Sequence, residues 1–366
     1  MAATYIYAII PTGDQVIFDV GGVDDDHDEV YSIPHRDLAA VVSASPLADY
    51  RGLKRDEAVR YLVPHQRVVE VVMQAFPVLP VKFGTVLPDE AWVRRLLAQG
   101  ETLFRTALER FSELVQMEVV VLWNLQEIFR EIGNELRSNV QTFKRSNVTD
   151  AERIAVGQMV QASLERRRAA LRDRLLPSLQ EVALDVVVNP LMDDSMVTNV
   201  ALLVDKAGRG ALDQRLKSLD EEFEGRLHFR CVGPLPPYSF ATVEVQIPSF
   251  QAVDEARRLL GLGETATPGE IKRAYHRLAS QLHPDHNPNS PEAEARMAEL
   301  TQAYRLLTAY ADSQALFWAG EQGSTRAGVQ RSRGVGAHPS TPAPQHPCTF
   351  SREAVERTLL IAIRRL

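Results

Sequence analysis

Cysteine is nearly missing: Cys231 and Cys348 are the only two in 366 residues. They lie far apart in sequence, so no disulfide framework is expected, and a reduced, cytoplasmic setting is the simple reading. No apolar run approaches the roughly 20 residues that a membrane-spanning helix needs, so no transmembrane segment is expected. The opening MAATYIYAIIPTGDQ lacks a basic stretch and a long apolar core, and is expected not to be a signal peptide. Positive charge is not in excess either. Lys and Arg number 41 against 48 Asp and Glu, a net charge of -7, which does not favour broad nucleic-acid affinity. A nucleophile–base pair, a Gly-rich phosphate loop and clustered metal ligands are also lacking. Neither an enzyme nor a cofactor or metal is therefore expected.

What is present is an ordinary globular composition, 45% hydrophobic and 24% charged. The length fits two or three domains. Residues 1–124 read as a small α/β domain. Thr4–Ile10 and Leu38–Ser43 are strand-like runs, and Val78–Val86 is another, bent at Pro80. A helix over Lys54–Phe76 is expected to kink or restart at Pro64, and a later one from Pro88 to break near Gly100. Residues 125–180 read as a long helical pair, a hairpin or short antiparallel coiled coil, with Thr149 and Glu152 forming a capping box. Residues 181–249 read as a second α+β domain with strand order β-β-α-β-β on one sheet. An all-α hairpin module is expected over 250–318. A Gly/Ser/Pro-rich flexible linker spans 319–349, and a short amphipathic helix 350–366.

Several residue groups read as structural on chemical grounds. The acidic run Asp24–Glu29 lacks the glycine and spaced glutamate of a calcium loop and is expected to be an exposed loop. Arg166-Arg167-Arg168 is bordered by acidic residues and reads as a solvated helix face. His65 reads as a polar helix-face histidine, because no nucleophile or orienting partner accompanies it. Lys82 and Thr85 have the chemistry to hold an anion, yet no Gly-rich loop precedes a helix there, so a solvated strand lysine is favoured.

The module at 250–318 carries the sharpest motif. Thr267 is a good N-cap, Pro268 fits the first helical position, and Glu270 completes a capping box. The helix is expected to bury Ile271, Ala274, Tyr275, Leu278 and Leu282, and to show Lys272, Arg273, His276 and Arg277 on its opposite face. Pro284 disfavours helical geometry in His283 and ends the helix. A second helix pairs Met297, Leu300, Tyr304 and Leu307 against the first. A basic face beside an imidazole and a carboxylate suits an acidic partner surface. A metal site at His283, Asp285 and His286 lacks a fourth ligand.

The segments LLGL (259–262), IKRAYHRLA, His283-Pro284-Asp285 and AYRLL together resemble the J domain of DnaJ-type co-chaperones. The resemblance implies a partner, the DnaK-type chaperone ATPase. It also implies that His283, Pro284 and Asp285 stimulate ATP hydrolysis while Lys272, Arg273, His276 and Arg277 bind the chaperone. Gln281 and His286 depart from the usual residues around the motif.

The first 247 residues resemble the gas vesicle protein F/L family. The resemblance rests on VLPVKFGTVLPDE (78–90) and VGPLPPYSFATVEV (232–245), with YIYAII, HQRVVEVV and MEVVVLWN in the expected order. Lys82, Phe83, Gly84 and Thr85 are the core of the first motif. Gly233, Pro234, Pro237, Tyr238, Ser239 and Phe240 are the core of the second. Their physical reading is structural: Gly84 permits a bulge or close backbone approach, and the prolines restrict the chain before Tyr238–Phe240 enters a strand. The family implies two α/β-type domains, the first a modified ferredoxin-like fold, joined by the helical pair. It implies a gas-vesicle location and partners among gas vesicle proteins, chiefly the hydrophobic main shell protein. Two functions follow as expectations: an assembly factor or minor shell component that recruits the chaperone to that client, and a structural shell protein whose J-like module is inactive.

Overall fold

A computed structural model describes residues 3–23, 25–45, 49–50, 52–139, 149–282, 291–325 and 347–365. The chain forms two compact units, residues 1–109 with 242–364 and residues 110–241 with 365–366. This grouping cuts across the expected boundaries at 124, 180 and 249, because the last strand of the chain returns to a partner more than a hundred residues earlier.

The first unit begins with β1 (Thr4–Ile10), β2 (Ile17–Gly22), β3 (Asp25–His35) and β4 (Leu38–Ala44). Then come α1 (Arg55–Met73), β5 (Leu79–Pro80), β6 (Val86–Leu87) and α2 (Glu90–Phe111). The sheet order is β2-β3-β4-β1-β5, with β6 also on β1. TYIYAII is apolar without alternation because β1 lies mid-sheet and every residue of it is buried. The acidic run is not a free loop: Asp25 onward belongs to β3, where Val30 and Ile33 are buried and pair with Phe18 and Ala40. The span Val78–Val86 is two short strands separated by a turn rather than one bent strand. α1 does not restart at Pro64, and α2 does not break at Gly100. Burial of His65, Val68, Val69 and Val72 carries α1 through Pro64, and Leu96, Leu97 and Phe104 do the same for α2 around Gly100.

The second unit holds β7 (Leu114–Trp123), α3 (Leu125–Asn139), α4 (Asp150–Gln180) and β8 (Asp185–Val188). It continues with β9 (Met196–Asp205), α5 (Arg209–Glu222) and β10 (Leu227–Leu235). Its antiparallel sheet runs β10-β7-β9-β8. Val119, Val121, Val200 and Leu202 on the sheet meet Ile132, Leu164, Leu175 and Leu212 on the helices in one core. Thr149 and Glu152 form the expected capping box. Of the arginine run, Arg167 pairs with Glu131 and Glu135 of α3. Arg168 corrects the expected solvated face. It is buried, donates to the Met196 carbonyl at 3.0 Å, reaches Asp194, and lies over the Trp123 ring.

The chain then returns to the first unit with β11 (Thr242–Gln246), α6 (Phe250–Leu259), β12 (Thr265–Ala266), α7 (Pro268–Leu282) and α8 (Pro291–Thr325). It closes with β13 (Cys348–Thr349), α9 (Arg352–Arg357) and β14 (Leu360–Arg364). Three expectations are corrected here. The fourth strand expected in the second sheet is β11, and it pairs with β14 instead, Thr242↔Arg364 through Gln246↔Leu360. The expected C-terminal helix 350–366 is one short helix followed by that strand. Thr358 turns extended at the end of α9, and apolar Leu360 and Ile361 are buried by strand pairing. The helix expected to stop at 318 runs to Thr325, and Cys348 and Thr349 pair with β12 rather than belonging to a linker. Among the described residues, no helix is long and apolar enough to cross a membrane.

Candidate functional site

The helix α7 starts as its sequence dictates. The Glu270 backbone N–H donates to Thr267 Oγ1 at 3.2 Å, and the Thr267 N–H donates to the Glu270 carboxylate at 2.8 Å. The bonds that the Thr267 backbone N–H and then its hydroxyl donate to the Glu270 carboxylate hold that carboxyl below the usual range. Ile271 and Ala274 are buried, and Tyr275, Leu278 and Leu282 pack beside them. Tyr275 stacks on Tyr304 of α8 with ring centres 4.3 Å apart. The opposite face is as expected: Lys272, Arg273, His276 and Arg277 are all exposed. None of the three cations makes an ion pair with a described residue. An open groove of about 400 Å³ lies between the loop after α6 and Glu270, Arg273 and Arg277. His283, Pro284 and Asp285 lie outside the described residues.

The first family motif is a turn over an aromatic cluster. Gly84 has φ of 78° and lies so close to Tyr50 that an added Cβ would sit 2.8 Å from its Cβ. The Gly84 N–H donates to the Tyr5 hydroxyl at 3.0 Å, and Thr85 Oγ1 donates to the Lys82 carbonyl at 2.6 Å. Phe83 meets the rings of Tyr50 and His65 edge-on. The expected strand lysine is half-exposed, yet its ammonium lies 2.8 Å from Glu244.

The second motif also forms a turn. Gly233 has φ of 144°, and an added Cβ would sit 2.6 Å from Met117 Sδ. The N–H groups of Phe240 and Ala241 both donate to the Pro237 carbonyl, so Tyr238–Phe240 is a turn before the strand rather than the strand itself. The Ser239 N–H donates to Gln116 Oε1 at 2.8 Å. Beyond that turn the two motifs meet in the first unit. Val81 bridges Val243, and the Lys82 N–H donates to the Val243 carbonyl at 2.9 Å.

Sequence reasoning missed one group here. His65 is 2% exposed, not on a polar face. It shares a 3.0 Å hydrogen bond with the Tyr5 hydroxyl and stacks on Tyr7. Burial lowers its pKa to about 4, so it is neutral at physiological pH. The alternation of tyrosines in TYIYAII was the available signal, since a buried strand hydroxyl needs a partner. No group of three or more His, Cys, Asp and Glu with metal-binding geometry occurs among the described residues.

Comparison with known proteins agrees with both readings. The family described as "Gas vesicle synthesis protein GvpL/GvpF" matches residues 3–242, and the DnaJ domain matches residues 258–314. Gas vesicle protein F of a Streptomyces species is 27% identical over 245 residues, 65% of this chain and 99% of that protein. Gas vesicle protein L1 of Halobacterium salinarum is 28% identical over 256 residues, 65% of this chain and 89% of that protein. Chaperone protein DnaJ of Chlamydia trachomatis is 53% identical over 49 residues, 13% of this chain and 12% of that protein. The crystal structure of GvpF from Anabaena has a TM-score of 0.54 at 23% identity, covering 65% of this chain and 98% of that one. That of GvpF from Microcystis aeruginosa gives 0.51 at the same identity and coverage. The body has the GvpF fold, two compatible motifs lie where the family match runs, and a helical module with a capped basic helix follows. The chain belongs to the GvpL/GvpF gas vesicle family and carries a DnaJ domain behind its family body.

Proposed function

We propose that this chain is a gas vesicle assembly factor. Its family body holds the hydrophobic main shell protein, and its J module brings a DnaK-type chaperone ATPase to that client. The observation that carries the reading is the joining of a GvpL/GvpF body and a J module on one chain, with the basic face of α7 exposed. A subunit with much apolar surface and open strand edges aggregates unless it is protected before assembly. A chaperone recruited to it supplies that protection in cycles of ATP hydrolysis.

In this scheme Lys272, Arg273, His276 and Arg277 steer and bind an acidic surface of the chaperone. His283, Pro284 and Asp285 trigger its hydrolysis. The motif residues Lys82–Thr85 and Gly233–Phe240 shape the body and do no chemistry. The setting is the cytoplasm and the growing vesicle. Two measurements test this: binding of purified protein to the shell protein, and its acceleration of chaperone ATP turnover. Failure of both overturns the reading. An unchanged vesicle yield with His283→Gln would favour a structural shell role instead.

A further inference from the structure

We infer that residues 347–364 are a clasp coupling the J module to the family body, so that the body's state is relayed to the helix that faces the chaperone. This deepens the proposed function and rests on it. The clasp has two ends and a middle, and each is held by a different part of the first unit.

At the body end, β14 adds to β11 over five residue pairs, and Arg364 lies 3.0 Å from Glu244. In the middle, Gln99 of α2 reads the main chain directly. Its amide oxygen accepts from the Leu359 N–H at 3.3 Å and its amide nitrogen donates to the Arg357 carbonyl at 3.4 Å. At the module end, α8 supplies three side chains. Ser313 accepts from the Ile361 N–H at 3.2 Å, Gln314 accepts from the Thr349 N–H at 3.1 Å, and Tyr310 donates to the Thr349 carbonyl at 2.6 Å. Cys348 and Thr349 then pair with β12, and the Phe350 N–H donates to the Glu264 carbonyl at 2.9 Å.

These contacts favour opening as one event. Gln99, Ser313 and Gln314 are buried beneath the clasp, and lifting it breaks their bonds to its main chain together. Val355 and Leu359 are wholly buried, so the clasp cannot slide without exposing them. β12 directly precedes Thr267, the N-cap of α7. A body that strains or frees β11 therefore acts on the start of the basic helix through contiguous hydrogen-bonded contacts. Client held by the body and chaperone held by α7 are kept in one geometry while the clasp is shut.

The test uses full-length Gln99→Ala/Ser313→Ala, with Ser313→Ala alone as the milder variant should the pair fold poorly. Neither residue lies on the chaperone-facing surface. Amide hydrogen exchange is followed in β14, β12, the first turn of α7 and β1. Coupling predicts that β14, β12 and the first turn of α7 exchange faster together, by roughly tenfold, with β1 unchanged. It also predicts a lower vesicle yield while chaperone ATPase stimulation persists. Opening of β14 with β12 and the first turn of α7 unmoved overturns the proposal, as does full vesicle yield from a chain whose clasp has demonstrably opened. Absence of ATPase stimulation by the unsubstituted chain would instead sink the functional reading, and the exchange result would still decide the coupling.

Discussion

Lys82 and Glu244 stand 162 residues apart in sequence and 2.8 Å apart in space. Arg364 binds the other carboxylate oxygen at 3.0 Å. One carboxylate thus knits together both family motifs and the last strand. Burial alone would raise the Glu244 pKa, but the bonds and charges of Lys82 and Arg364 outweigh it and the net shift is downward. Its contribution is therefore present above the unfolded carboxyl range and lost as pH falls through the lowered folded value. Because Lys82 and Arg364 are more than half exposed, Lys82→Ala should cost no more than about 1 kcal/mol. Urea unfolding at neutral pH and at low and high salt measures this, and salt should shrink the difference.

His65 predicts a second pH effect of the same sign but in a different window. Its folded pKa is about 4 against an ordinary 6.5. The unfolded chain takes up the proton first, so the native state is favoured above pH 6.5 and loses that advantage as pH falls towards 4. His65→Phe removes the titrating ring and its bond to the Tyr5 hydroxyl, which keeps the Gly84 N–H. It should be less stable at neutral pH and less sensitive to acid across that window, as read from melting temperatures along a pH series.

The basic face of α7 should separate binding from folding. Lys272→Glu with Arg273→Glu changes exposed side chains only, so the melting temperature should move little. Chaperone binding should weaken by roughly tenfold or more and lose much of its salt dependence. His283→Gln should leave binding largely intact and remove ATPase stimulation. Surface plasmon resonance and a turnover assay on the same preparations measure the two.

Gly84→Ala should destabilise the first unit by about 1–3 kcal/mol. A side chain at a φ of 78° is strained, and its Cβ would press on Tyr50. The loss should appear as a lower denaturant midpoint with an unchanged slope.

Much of the fold was legible where local chemistry decides it. The capping boxes at Thr149 and Thr267 follow from two residues at the right spacing, and both formed. The burial of Ile271 and Ala274 and the exposure of Lys272 and Arg273 follow from helical periodicity. Partner choice between distant strands was not legible. LLIAIRR has an apolar stripe that suits a helix as well as a strand, and only β11 makes it a strand. The acidic start of β3 hid a strand because Val30 and Ile33 were outweighed by their neighbours. Arg168 and His65 were missed for one reason: their burial is satisfied by Asp194 and Tyr5, groups remote in sequence. For the candidate site, the basic face was readable from the sequence. Gln99, Ser313 and Gln314 were not, because each serves a backbone that only the tertiary fold delivers.

The pairing of β11 with β14 also orders the making of the protein. Glu244 waits 120 residues for Arg364, and the J helices are synthesised in between. Their contacts are local and close quickly, whereas the strand pair carries the entropy of a long loop. Until Leu360–Arg364 is made, the edge of Thr242–Gln246 that β14 covers has no partner strand. The five pairs of β14 are thus also the step that covers the chain's own open strand edge.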